Sequence, residues 1–331
     1  MSLSRRFFAH CLACAGLAGG FRATKAQAQA QAQAPAPWSP PAAADRCPSK
    51  WGAADVRGSM NLQTADQVQK ATRLIRTGRV VELGHTLEPA MPFFGTRRFD
   101  VHLKQMFMNP QASRRGSNEE LVVTELGQVG TQLDAFPHQT IGDETYNCNK
   151  VSEISSRGGF TKMGVDGIGQ VFTRGVLIDV AKQKGVRTLG DDYEITVDDL
   201  QQAMSRQNVR IERGDVVLIR TGWDALWGRE NARYVGSCPG IGVAAAEWLI
   251  RQEPIILGSD NWPVEVSPSK TMPHASLPVH QIALAVNGVH LLENMRLNDL
   301  SETGQSEFAF IMQPLKMKGG SGSTVAPTAV L

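Results

Sequence analysis

Gly127-Gln128-Val129-Gly130-Thr131-Gln132-Leu133-Asp134-Ala135-Phe136-Pro137-His138 is the densest polar stretch of the chain, and its reading decides the fold. Gln128, Gln132, Asp134 and His138 share one parity, so a strand running through the segment turns all four to one face. Gly130 admits close backbone approach, and Pro137 stops the strand. A carboxylate and an imidazole on a face otherwise built of amides suit a divalent metal of hard to intermediate character. The competing reading is a satisfied buried Asp134–His138 pair at a strand end, and spacing alone does not separate the two.

Outward from this segment, apolar periodicity predicts the other elements. Upstream, residues 64–77 carry Val68, Ala71, Leu74 and Ile75 at helical spacing, ended by Gly78. Residues 79–83 read as a strand, and residues 99–107 and 120–126 as an antiparallel pair. Downstream, residues 175–180 and 215–220 are short apolar runs of the kind buried in a sheet. Between them residues 196–207 open with Thr196 and Asp199 in capping-box spacing and read as a helix. Residues 239–252 read as a helix, 255–260 as a strand, 279–286 as a short helix, and 289–292 and 308–312 as strands. A strand-rich first half and an alternating second half predict one α/β domain with a mixed sheet. Gly164, Gly167 and Gly169 have the dinucleotide spacing reversed, which removes a nicotinamide-type fold. Residues 319–323, rich in glycine, read as a flexible or tightly turning tail.

The chain has 331 residues, 42% hydrophobic and 20% charged, as in an ordinary globular protein. Ser4-Arg5-Arg6-Phe7-Phe8, a small apolar run and alternating alanines to Ala34 have the three parts of an export signal, and the paired arginines are twin-arginine-like. Residues 1–34 are thus expected to direct the protein to the periplasm. They hold four cations and no acid, so the formal charge of +2 becomes −2 without them. A near-neutral chain with no basic tract offers nothing to nucleic acid, and no later apolar run is long enough for a membrane span. Residues 35–55 form a proline-rich arm, and residues 56–331 the folded domain. Beyond the leader stand Cys47, Cys148 and Cys238, enough for at most one disulfide, whose pairing the sequence does not assign.

Two further clusters carry chemistry. His280 opens a predicted helix and Glu293 ends the strand after Gly288, so they converge only if that helix packs back on the strand. Taken alone they read as a helix-cap histidine and a solvated acid. Asp260, Asn261 and Trp262 follow a strand at its C-terminal end, the usual address of a functional loop, although an Asx-type turn explains them equally. Trp223 and Trp227 read as pocket walls or as core filler.

Together these segments resemble the cyclase superfamily that includes bacterial kynurenine formamidases and isatin hydrolases. The family's His-x-Gly-Thr-His-x-Asp motif stands here as Gln128 to Asp134, with His138 four residues on, and Leu83-Gly84-His85-Thr86-Leu87 is similar to its first-strand motif. His280, Gly288 and Leu292-Glu293-Asn294 match its late His and Glu, and residues 174–179, 214–223 and 260–262 also fit, so the likeness spans about residues 56–328. The resemblance implies a barrel-like mixed sheet with flanking helices (a swivelling β/β/α fold), and a homodimer or homotetramer. It implies a metal-dependent hydrolase of small cyclic or aryl amides, lactams or lactones, with manganese or zinc as cofactor. Asp134, His280, Glu293 and Gln128 would bind metal, and His138 would be the acid/base. Gln132 would orient water or the developing oxyanion, while Trp223, Trp262, Phe136, Asp260 and Asn261 would line the substrate pocket. The chain departs from the family at its two most characteristic places, Gln128 and Gln132, where histidines are expected. A non-catalytic small-ligand binder on the same fold is the alternative, and no Gly-x-Ser-x-Gly supports a serine nucleophile.

Overall fold

A computed structural model describes residues 38–107, 114–270, 272 and 276–331, so the leader lies outside the described residues. In chain order the strands are β1 (Val80–Glu82), β2 (Phe99–Phe107), β3 (Gly116–Thr124), β4 (Gln132–Asp134), β5 (Ser155–Ser156), β6 (Gly159–Phe160), β7 (Val171–Asp179) and β8 (Glu194–Ile195). They continue with β9 (Val216–Arg220), β10 (Gly240–Ile241), β11 (Ile256–Ser259), β12 (His290–Glu293), β13 (Glu307–Met312), β14 (Gly322–Thr324) and β15 (Thr328–Val330). Nine of them form one curled mixed sheet in the order β1-β15-β13-β7-β9-β11-β12-β4-β14. Its centre, β7-β9-β11-β12, is parallel, and the flanking pairs are antiparallel. The expected single α/β domain with a mixed sheet is thus what the chain forms.

Strand periodicity divides the apolar residues between two cores. Val176, Ile178, Val217, Ile219, Leu257 and Leu291 pack under helices Val197–Gln207 and Val243–Ile250 and the Pro278–Asn287 segment. Their neighbours Leu177, Val216, Leu218, Ile256 and Leu292 pack on the other face against Leu83, Leu133, Phe308 and Phe310. The β2–β3 hairpin lies apart from the sheet, its strands fully paired from Phe99↔Thr124 to Phe107↔Gly116.

Local signals hold where side chains complete them. Thr196 caps its helix through Asp199 N, and the Asp199 carboxylate accepts from Thr196 N, closing the expected capping box. The helix read over residues 64–77 starts at its Thr64 cap but ends at Thr72, before Leu74 and Ile75.

Two expectations fail. The helix read over residues 239–252 begins only at Val243, because Gly240–Ile241 pairs in parallel with β8. At Gly240 a Cβ would fall 2.2 Å from the Glu265 carbonyl carbon, so this contact admits only glycine. The glycine-rich segment is no loose tail: Gly322–Thr324 is a buried strand bonded to β4. The proline-rich arm is tied down by a Cys47–Cys148 disulfide and by Arg46, which donates to Glu144. Cys238 is free and buried. Among the described residues no helix is long and apolar enough to cross a membrane.

Candidate metal and catalytic site

The site is assembled where β4 meets β12. On β4, Leu133 faces the lower core, which turns Gln132 and Asp134 to the helical face. On β12, Leu292 faces down beside Leu133, and Glu293, paired with Gln132, therefore points up with them. The Pro278–His280 turn packs onto this face and continues as a π-helix, Gln281–Asn287, a distortion frequent at functional sites. His280 thereby meets Glu293, the convergence that the sequence made conditional on such packing.

Strand parity does not extend over the whole of residues 128–138. Gly130 takes φ +66°, where its absent side chain leaves room for Leu87, and Phe136–His138 is a 3-10 turn. The four polar groups still converge, folded around Asp134 rather than aligned. Gln128 Nε2 donates to Asp134 Oδ1 at 3.1 Å, and His138 Nε2 lies 3.9 Å from Asp134 Oδ2. Gln132 Nε2 donates to Glu293 Oε2 at 2.8 Å and reaches Gln128 Oε1 at 3.4 Å.

His280 is the hub. Its Nδ1 lies 2.7 Å from Glu265 Oε1, and its Nε2 lies 3.0 Å from Glu293 Oε1 and 3.7 Å from Asp134 Oδ2. Glu265 also accepts from the backbone N–H groups of Val279 and His280. Burial alone would lower the His280 pKa, but its bonds to Glu265 and Glu293 outweigh that and lift it to about 10. Burial pushes Asp134 up to about 6, against the pull of His138 and His280. Burial also lowers His138, opposed by Asp134, so its imidazole is neutral at neutral pH.

Among the site residues Gln128, Gln132, Asp134, Glu265, His280 and Glu293, two buried oxygens have no hydrogen-bond partner: Asp134 Oδ2 and Gln132 Oε1. Unsatisfied buried acceptors are costly, and a cation or a water relieves them. One ligand atom each of Asp134, His138 and His280 lies within 4.8 Å of the others, so this group has the reach to hold a metal ion. Glu293, bonded to the same His280 nitrogen, borders the same point.

Above this floor runs a narrow cleft of about 20 Å³, lined by Phe93, Phe94, Arg97, Gln128, Tyr234 and Trp262 among others. Of the five residues expected to line a substrate pocket, Trp262 borders this cleft. The other four are not brought to the cleft. Trp223 is fully buried, its indole N–H donating to the Tyr234 carbonyl. Phe136 stacks on His290 at 4.3 Å and packs against Tyr146. Asp260 accepts from Thr221 N, Thr221 Oγ1 and Gly222 N, which fixes a turn. Asn261 donates to the Pro239 carbonyl.

Sequence reasoning missed Glu265 as the partner that orients His280, and Arg97, Phe93 and Phe94 as cleft walls. Glu265 lies three residues beyond Trp262, so proximity to that loop was its one signal. His85, in the first-strand motif, stacks on Trp227 at 4.2 Å, and burial pushes its pKa down to about 4.

The family model described as "Putative cyclase" matches residues 81–266. A crystal structure described as a novel cyclase is 30% identical, covering 85% of this chain and 98% of its own, with a TM-score of 0.77. Isatin hydrolase A from Ralstonia solanacearum shares the fold at 24% identity, 76% and 91% coverage and a TM-score of 0.55. Isatin hydrolase A from Labrenzia aggregata, bound to benzyl benzoate, shares it at 22% identity, 81% and 100% coverage and a TM-score of 0.57. No curated protein matches the chain. With over half of its length matched by the family model and a 30% identical relative along most of the remainder, the chain belongs to the Putative cyclase family.

Proposed function

We propose that the protein is a metal-dependent hydrolase of a small cyclic or aryl amide, lactam or lactone, working in the cell envelope. The observation that carries this reading is Asp134 Oδ2, a buried carboxylate oxygen without a hydrogen-bond partner, facing the Nε2 atoms of His280 and His138. Asp134, His280 and Glu293 would hold the ion, with the His280 Nε2 proton given up on binding, and carboxylates with one imidazole suit manganese or zinc. When bound, a divalent ion supplies a Lewis acid for the carbonyl and a water of lowered pKa.

The chain's own residues do the rest. His138, neutral and 19% exposed at its side chain, takes a proton from water at Nε2 and returns it to the leaving group. Asp134 beside it steadies the imidazolium formed in between. Gln132 Oε1, unpartnered, accepts a hydrogen bond from the attacking water and orients it. Glu265 fixes the His280 ring through Nδ1. Trp262, Phe93 and Phe94 form flat apolar walls, which favour an aromatic or planar cyclic substrate. The benzyl benzoate bound by the Labrenzia aggregata isatin hydrolase is an aromatic ester, consistent with such walls. The twin-arginine-like leader and the Cys47–Cys148 disulfide both support an oxidising compartment outside the cytoplasm.

The test pairs metal content with turnover. Wild type is expected to carry about one divalent ion per chain. H138Q should keep the ion while turnover of a cyclic amide or lactone falls at least about 100-fold. Loss of the ion in H138Q would instead make His138 a ligand, a reading favoured by the short reach between its Nε2, Asp134 and His280. No ion in wild type, even after incubation with manganese and zinc salts, would overturn the hydrolase and leave a ligand binder. That second reading is favoured by the glutamines standing where the family has histidines.

A further inference from the structure

The arm of residues 41–55 is fastened to the body at one place. Among the described residues, and apart from an exposed Lys50–Glu253 pair, its hydrogen bonds to the body all run to the turn Glu144–Cys148. Arg46 Nη2 donates to Glu144, Tyr146 Oη donates to Asp55 Oδ2 at 2.7 Å, and Asn147 Nδ2 donates to the carbonyls of Gly52, Ala53 and Asp55. The Cys47–Cys148 disulfide closes the same contact. Asn147 and Cys148 hold φ of +55° and +53°, a left-handed backbone that side chains rarely adopt and that persists only while its surroundings hold it. Elsewhere the arm packs poorly. A cavity of about 480 Å³ opens between arm and body, lined by Pro48 and Trp51 on one and by Ile250, Pro254 and Val289 on the other. Arg46 Nη1 is buried without a hydrogen-bond partner.

The same turn braces the floor of the site. Thr145 Oγ1 donates to the Phe136 carbonyl at 2.7 Å, and the Tyr146 ring lies 4.7 Å from the Phe136 ring. Just past the arm, Gly58 fits so closely against Phe136 that a Cβ there would lie 2.6 Å from its Cζ. Phe136 stands midway between Asp134 and His138, and His290, on which it stacks, donates to the Asp134 carbonyl. The bridged cysteines are 101 residues apart, and the whole of residues 128–138 lies between them. β4 is bonded to β12 and β14, pairings in which the arm takes no part, so loss of the bridge loosens the end of β4 without dissolving the sheet.

We propose that the Cys47–Cys148 disulfide is a redox switch on the site. Oxidised, it keeps the arm on the Glu144–Cys148 turn and the Asp134–His138 segment ordered; reduced, it releases both. The reductant is a dithiol. One of its thiolates attacks a sulfur of the bridge, the S–S bond breaks, and its second thiolate resolves the mixed disulfide. Cys47 and Cys148 end as thiols, having taken two electrons and two protons, and the dithiol ends as a disulfide. Both cysteines are partly exposed, within reach of such a reagent. The switch stands on the contacts of the arm; its effect on a bound metal rests on the hydrolase reading.

Hydrogen exchange on the metal-free protein, oxidised and after dithiothreitol, tests the switch without turnover. Amides of residues 134–148 are expected to exchange at least about tenfold faster in the reduced protein, with those of β9 and β11 unchanged. Reoxidation should restore the slow rates, and C47S/C148S should show the fast ones with no reductant present. Affinity for manganese or zinc should fall at least about tenfold in C47S/C148S, the scale of losing support behind a ligand. Unchanged exchange at residues 134–138 after reduction would overturn the switch. So would unfolding of the whole sheet in the reduced protein or in C47S/C148S, which would make the bridge a structural staple. Faster exchange in a protein that binds no metal in either state would keep the switch and sink the hydrolase. Metal binding and turnover indifferent to reduction, with residues 134–138 still protected, would do the reverse.

Discussion

Gln128 and Gln132 spend their amide N–H groups on carboxylates, Gln128 on Asp134 and Gln132 on Glu293. An imidazole in either place would offer a nitrogen lone pair to a metal; the amide offers only a neutral oxygen, a weaker donor to zinc. Q128H/Q132H is therefore expected to raise bound zinc by about one ion per chain, measured by plasma mass spectrometry after dialysis. Unchanged stoichiometry in a folded double variant would count against that account. The polar residues around Asp134 were legible because their types and order match a metal-handling motif, although the strand parity invoked to gather them covers only Gln132 to Asp134. Glu265 was not legible, since its bond to His280 spans 15 residues outside any helix or strand repeat and leaves no periodic trace.

Among the elements, β4 depends on its two neighbours. Glycine at position 322 lets β14 approach so closely that a Cβ there would lie 2.6 Å from Gly127 O and 2.9 Å from Leu133 O. G322V is expected to cost about 1–3 kcal/mol, the range for overpacking, and to lower metal content by displacing Asp134, its register partner. Urea denaturation and metal analysis would check both; a stable, fully loaded variant would contradict the packing argument. The parallel centre was readable from its unbroken apolar runs, which water-free strands require. Gly322 of β14 was not, because a residue without a side chain carries no face preference, and Gly240 concealed a strand inside a predicted helix for the same reason.

Across the whole molecule, acid should act through buried neutral histidines. His290 donates from Nδ1 to the Asp134 carbonyl and is held at about 4 by burial, below its ordinary 6.5. Between those values the unfolded chain binds a proton that the folded chain refuses, so the His290 contribution is complete above pH 6.5 and is lost as pH falls toward 4. The loss is about 3 kcal/mol at most. Asp134, raised to about 6, works the other way, gaining stability as pH falls through 6. The difference between wild type and H290Q isolates the histidine: H290Q should lose less stability between pH 7 and 4.5, read from urea midpoints. Parallel pH profiles would show that His290 takes up its proton equally in the folded and the unfolded chain, against this account.

The order of the sheet is not the order of synthesis. β4 is made before the midpoint of the chain, yet it sits between β12 and β14, and β1 waits for β15. During translation Asp134 therefore remains open on both flanks until residues 290–293 and 322–324 have emerged. The proposed donors Asp134, His280 and Glu293 are spread over 159 residues (293 − 134), so any ion they hold is acquired late in synthesis or after it.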